Sequence, residues 1–128
     1  MTHQAPIKPT ESELEILQVL WEKGDATVRE VHEVLTAHKD VGYTTTLKLM
    51  QIMFEKGLVL RNDSSKTHIY TANVSKEDTQ QQLVNKMIRN LFNGSASQLV
   101  MQALGNQSAS KEELDAIEAM IQQLKSKS

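Results

Sequence analysis

Thr10 and Thr27 each stand three residues before a glutamate, Glu13 and Glu30, and each pair opens a run of apolar residues spaced at threes and fours. In such a capping box the hydroxyl and the carboxylate each accept from a backbone N–H that the first helical turn leaves free, so the pairs fix where two helices begin. The first carries Leu14, Leu17, Val19, Leu20 and Trp21 and meets a stop at Gly24, which predicts a helix over about 11 to 23. The second carries Val28, Val31, Val34 and Leu35 and runs out at His38, Lys39 and Asp40, which predicts a helix over about 28 to 38.

A third apolar period follows Val41 and Gly42. The run Tyr43-Thr44-Thr45-Thr46 leads into Leu49, Met50, Met53 and Phe54, and Lys56-Gly57 closes it. Leu58-Val59-Leu60-Arg61 then reads as a strand, Asn62-Asp63-Ser64-Ser65 as a turn, and Lys66 to Thr71 as a returning strand. Three helices and a hairpin are the order of a winged helix-turn-helix, here occupying residues 1–74. In residues 75–128, Ser75 with Asp78 opens a helix bearing Leu83, Val84, Met87, Ile88 and Leu91 that Asn93-Gly94 stops. Ser95 starts a brief helix through Leu99, Val100 and Leu104, and Ser110 with Glu113 opens another bearing Leu114, Ile117, Ile121 and Leu124. Three short helices have too much surface for their volume to bury these faces alone. A partner is expected, most economically a second copy, across Leu83, Met87, Leu91, Leu114, Ile117, Ile121 and Leu124. The expected fold is therefore mainly α: an N-terminal winged helix-turn-helix with a two-stranded wing, followed by a three-helix dimerisation region.

The chain of 128 residues has room for one modest core, and its low aromatic content favours aliphatic helix packing. No apolar run reaches the roughly 20 residues that a membrane-spanning helix needs. The stretch from Met1 to Pro9 lacks the apolar centre of a secretory signal, so a cytoplasmic location is expected. With no cysteine there is neither a disulfide framework nor a thiolate nucleophile. His3, His32, His38 and His68 lack the spacing of a metal-ligand cluster, and Glu112-Glu113 sits where carboxylates complement a helix dipole. Neither a nucleophile elbow nor a phosphate loop is present, so no enzyme and no cofactor are expected.

The formal net charge of −2 is unevenly spread. Residues 1–40 hold four basic and eight acidic side chains, residues 41–74 hold four and two, and residues 75–128 hold six of each. The positive excess thus falls on the third helix and the hairpin. If Leu49, Met50 and Met53 face the core, Thr44, Thr45, Lys48 and Gln51 lie on or near the opposite side. Threonine, lysine and glutamine can reach base edges or phosphates, and Arg61, Lys66 and His68 of the hairpin suit the backbone beside the groove. The rival reading is a winged-helix protein-interaction module, which the acidic first segment permits.

The ordered set Thr10 to Leu17, Leu20-Trp21, Thr27-Val28-Arg29-Glu30-Val31, Tyr43-Thr44-Thr45 and Glu55-Lys56-Gly57-Leu58-Val59 resembles the penicillinase-repressor family, the BlaI and MecI type with its CopY relatives. The resemblance spans nearly the whole chain. It implies a cytoplasmic bacterial repressor that binds a palindromic operator as a homodimer, with its third helix in the major groove. Thr44, Thr45 and Lys48 match that family's reading helix and Lys66 its wing. Three departures narrow the transfer. Ile52 stands where family members often carry a basic residue. Antibiotic-responsive members are cut at an Asn-Phe bond, whereas the comparable stretch, Leu99-Val100-Met101-Gln102-Ala103, has neither residue, so no cut within Val100 to Leu104 is expected and the identity of any regulatory protease or sensor is left open. Copper-responsive relatives carry paired cysteines, and this chain has none.

Overall fold

Three helices, an antiparallel ribbon and three further helices follow one another in the computed structural model, which describes residues 8–106 and 109–128. The elements are α1 (Glu11–Lys23), α2 (Val28–Thr36), α3 (Tyr43–Lys56), β1 (Val59–Asn62), β2 (Ile69–Ala72), α4 (Lys76–Leu91), α5 (Ala96–Gly105) and α6 (Lys111–Ser126).

Both expected capping boxes at the start of the chain form. Thr10 Oγ1 accepts from the Glu13 N–H at 3.2 Å while Glu13 Oε1 accepts from the Thr10 N–H at 2.9 Å, and Thr27 and Glu30 repeat the exchange at 3.1 and 2.9 Å. Gly57 ends α3 at φ +86°, a left-handed conformation that costs a glycine little because it has no Cβ to clash. Helix α2 stops at Thr36, two residues before the sequence pattern does. There the N–H groups of Ala37, His38 and Lys39 fold back onto the carbonyls of Val34 and Leu35, so the last turn tightens and closes.

The apolar faces of α1, α2 and α3 meet in one core, in which Ile16, Leu17, Val31, Met50, Met53 and Leu58 are fully buried. The ribbon covers its edge. Residues Val59↔Ala72 through Asn62↔Ile69 are paired, and Tyr70 points into the core. Lys66, Thr67 and His68 lie in the connecting loop and not in the returning strand that the sequence pattern predicts. Local side-chain bonds take them out of the ladder: the Ser64 N–H donates to Asn62 Oδ1 at 2.9 Å and Ser65 Oγ donates to the Thr67 carbonyl at 2.8 Å. Two long-range contacts then lock the ribbon down. Ala26 and Tyr70 exchange both backbone bonds, at 3.0 and 2.8 Å, and Trp21 Nε1 donates to the Val74 carbonyl at 2.9 Å.

Glu13 also ties α1 to the end of α3. Its side chain is 2 % exposed, and the Lys56 ammonium reaches both carboxylate oxygens, at 2.8 and 3.0 Å. Burial pushes the Glu13 carboxyl upward, yet the Lys56 and Thr10 hydrogen bonds outweigh it and the net displacement is below the usual glutamate range. Such a lowered carboxyl contributes stability above its unfolded-state pKa, and that contribution disappears as pH falls through its folded-state pKa. Glu13→Gln is accordingly expected to destabilise the first unit by about 1–2 kcal/mol at neutral pH, a figure kept small because Lys56 is partly solvated. Urea melts of both proteins should converge as pH drops into the acid range. A gap that persists there would show that the pair's charge is irrelevant.

The chain divides into two compact units, Met1–Leu83 and Val84–Ser128. Helix α4 begins in the first and ends in the second, and the Asp78 N–H donates to Ser75 Oγ at 3.0 Å at its start. Asn93 at φ +54° and Gly94 at φ +88° turn the chain out of α4, and the Gly94 N–H closes on the Ile88 carbonyl at 2.8 Å. Helix α6 opens on the Ser110 and Glu113 box. None of the described residues from Val84 onward is buried.

Candidate nucleic-acid interface

Helix α3 turns Met50, Met53 and Thr46 into the core, and its period of 3.6 then leaves Thr44, Thr45, Lys48 and Gln51 exposed. Gln51 is also on the wall of an open cleft of about 530 Å³ between α3, the start of α2 and the wing loop. Lys66 and His68 line the same cleft from the wing. Of the seven residues expected to contact DNA, Gln51, Lys66 and His68 therefore surround one space, and Thr44, Thr45 and Lys48 lie exposed on the same helix.

Arg61 is differently placed. Its guanidinium carbon lies 4.1 Å from the centre of the Phe54 ring, and Nε donates to Asp63 Oδ1 at 2.8 Å. Hydrogen bonding to the Tyr70 and Asp63 side chains raises its pKa further. The same Asp63 oxygen is 3.6 Å from His68 Nδ1, so one carboxylate at the wing faces two basic groups.

The cleft also contains two residues to which the sequence analysis gives no binding role, Arg29 and Tyr43. Arg29 occupies the first turn of α2, and its guanidinium carbon is 5.6 Å from the Tyr43 ring centre. Counted by segment, Arg29 belongs to the acidic residues 1–40; folding carries it to the positive side. The signal was a charged residue two positions after an N-cap threonine, where an acidic side chain would suit the dipole better. Meanwhile Glu15 and Glu22 line a separate groove between α1 and α2, where Glu15 accepts from Lys39 Nζ at 2.8 Å.

Among the described residues, those lining the cleft include Arg29, Lys66 and His68 and no carboxylate. A net charge of −2 is thus compatible with a locally cationic surface, with Asp63 against His68 as the carboxylate at its wing edge. Chemically, such a surface can neutralise phosphates with Arg29 and Lys66 while short hydroxyls and an amide on the exposed face of α3 meet polar groups in a groove.

A three-helix unit closed by a β-ribbon, with its third helix exposed beside the ribbon's loop, is a winged helix-turn-helix. The chain belongs to the penicillinase repressor family, whose model matches residues 9–123. It is 38 % identical over 56 residues to the transcriptional regulator BlaI of Mycobacterium tuberculosis (strain CDC 1551 / Oshkosh), a match covering 43 % of this chain and 41 % of that relative. With the penicillinase repressor of Bacillus licheniformis it shares 20 % identity over 118 residues, 92 % of each chain. Among solved structures, the solution structure of the DNA-binding domain of the repressor BlaI aligns with a TM-score of 0.49 and 21 % identity, covering 56 % of this chain and 93 % of that one.

Proposed function

We propose that this chain is a cytoplasmic transcriptional repressor that occupies palindromic promoter DNA as a homodimer. Residues 1–74 bind the duplex with α3 in the major groove, and residues 75–128 join the two copies. The observation that carries this reading is the cleft whose described lining holds Arg29, Lys66 and His68, beside the exposed Thr44, Thr45 and Lys48 of α3. In this reading Lys48 and Gln51 meet base edges, and Arg29 and Lys66 meet phosphates on either side of the groove. The names of its relatives, a transcriptional regulator and a penicillinase repressor, support the same role.

Dimerisation is supported by what the second unit leaves uncovered. Leu91 is 71 % exposed on α4, where Met87 is also exposed, and Leu124 is 57 % and Ile121 43 % exposed on α6, where Leu114 is also exposed. A second copy would cover these stripes and supply the second reading helix that a palindrome requires. Release of the repressor through a cut at Gln102-Ala103 is disfavoured, because both residues lie inside α5 and a protease needs an extended substrate.

Asp63 tempers the wing. Because its carboxylate holds Arg61 and lies near His68, Asp63→Asn is expected to raise affinity for any duplex about three- to tenfold at low salt, with sequence preference unchanged. Fluorescence anisotropy with two unrelated duplexes reads this, and an unchanged or weakened affinity would remove the wing from the interface.

Genome-wide occupancy mapping in the source bacterium, paired with transcript levels after deletion of the gene, tests the function as a whole. The expected result is a small set of promoter peaks sharing an inverted repeat, with the adjoining genes rising on deletion. Absence of promoter peaks, or peaks whose genes fall, would overturn it.

A further inference from the structure

Helix α3 starts without a side-chain cap. Gly42 at its N-cap makes no side-chain bond, and its first turn holds no acidic residue, whereas α1 and α2 both open on full capping boxes. An uncapped start frays, yet this turn carries Tyr43, Thr44 and Thr45. What holds it comes from α2. His32 Nδ1 is 3.0 Å from Oγ1 of the fully buried Thr46, and the His32 ring meets the Tyr43 ring edge to face, with centroids 5.4 Å apart and planes at 83°. Arg29, on the same helix, braces the Tyr43 ring as well.

Thr46 does not need this histidine merely to satisfy its hydroxyl. Its Oγ1 donates back to the Gly42 carbonyl at 3.4 Å, the usual recourse of a threonine within a helix. With the hydroxyl proton on that carbonyl, Oγ1 meets His32 as an acceptor and Nδ1 carries the hydrogen, an assignment of the tautomer that the measurements below read directly. We infer that His32 is the positioning residue of the reading helix: donating from Nδ1 to Thr46 and packing on Tyr43, it fixes the first turn of α3 and thereby the choice of DNA sequence, without itself touching DNA. The consequence for sequence choice rests on the DNA-binding function proposed above; the bracing of α3 does not.

The test uses the full chain, a duplex selected by the wild-type protein from a random library, and an unselected duplex of equal length. His32→Ala should lower affinity for the selected duplex about tenfold, the worth of one hydrogen bond and its packing. Affinity for the unselected duplex and the salt dependence of both should stay put, because no phosphate contact is removed. Arg29→Ala should instead weaken both duplexes and reduce the salt slope by about one. His32→Asn, which keeps an N–H donor near the position of Nδ1, should recover much of the loss. Without DNA, nitrogen NMR of the wild type should find the proton of neutral His32 on Nδ1, and His32→Ala should speed amide exchange at Thr46 and Leu47 but not at Met50 and Met53. Equal losses on both duplexes, an Nε2–H tautomer, or unaltered exchange at Thr46 would overturn the inference. If the wild type selects no duplex, the proposed function fails and with it the effect on sequence choice, while the tautomer and exchange measurements still decide whether His32 braces α3.

Discussion

Replacing Ile121 with aspartate is expected to convert the proposed dimer into monomers and to cost more in DNA binding than any single change in the proposed reading helix. Ile121 is 43 % exposed in the single chain and shares an α6 stripe with Leu114, Ile117 and Leu124, spaced at threes and fours. Burying each such side chain contributes roughly 1.5–3 kcal/mol, so four per copy can offset the association cost. An aspartate at the seam would be desolvated without a partner, which reverses the sign of its contribution. The first unit should melt as before, since its core contains no residue of α6. Affinity for a palindromic duplex should fall on the order of a hundredfold or more, because the second half-site loses its intramolecular advantage. Sedimentation equilibrium that finds the variant still dimeric would reject α6 as the interface.

The second large effect is expected from Lys48→Ala, set against Lys66→Ala. Lys48 is exposed on α3 between Thr44 and Gln51, one turn from either, and Lys66 lies on the wing beside His68. If Lys48 reads a base, its loss should cost about 1–3 kcal/mol and relax the preference at one operator position. If Lys66 neutralises a phosphate, its loss should weaken all sequences alike and lower the salt slope by about one. Competition binding against a panel of single-position operator variants separates the two profiles. Identical profiles would mean that the helix and the wing are not read as assigned.

The parts of this fold that were legible in the sequence are those whose chemistry is local. Thr10 with Glu13, Thr27 with Glu30 and Ser110 with Glu113 bond to backbone groups three residues away, so each helix start could be read from four letters. The exposed face of α3 followed from the period of its apolar residues. What the sequence withheld lies far along the chain: the bridge between Ala26 and Tyr70, the Trp21 bond to Val74, and the reach of Lys56 to Glu13. The alternation at Lys66 and His68 predicts a strand, but serine and asparagine side chains bonding to the backbone take precedence over it. Arg29 was hidden by counting charge along the chain, since a segment's sum says nothing about which side of the fold its one arginine reaches.

Affinity for a promoter-derived duplex and for a scrambled duplex, each measured across a salt series, tests the central assignment most directly. A repressor reading DNA through α3 and the cationic cleft should prefer the promoter duplex by about a thousandfold or more. Its log affinity should fall linearly with log salt at about −0.9 per phosphate neutralised. A protein-interaction module would bind neither duplex at any salt concentration, and equal affinity for the two would contradict sequence reading by α3.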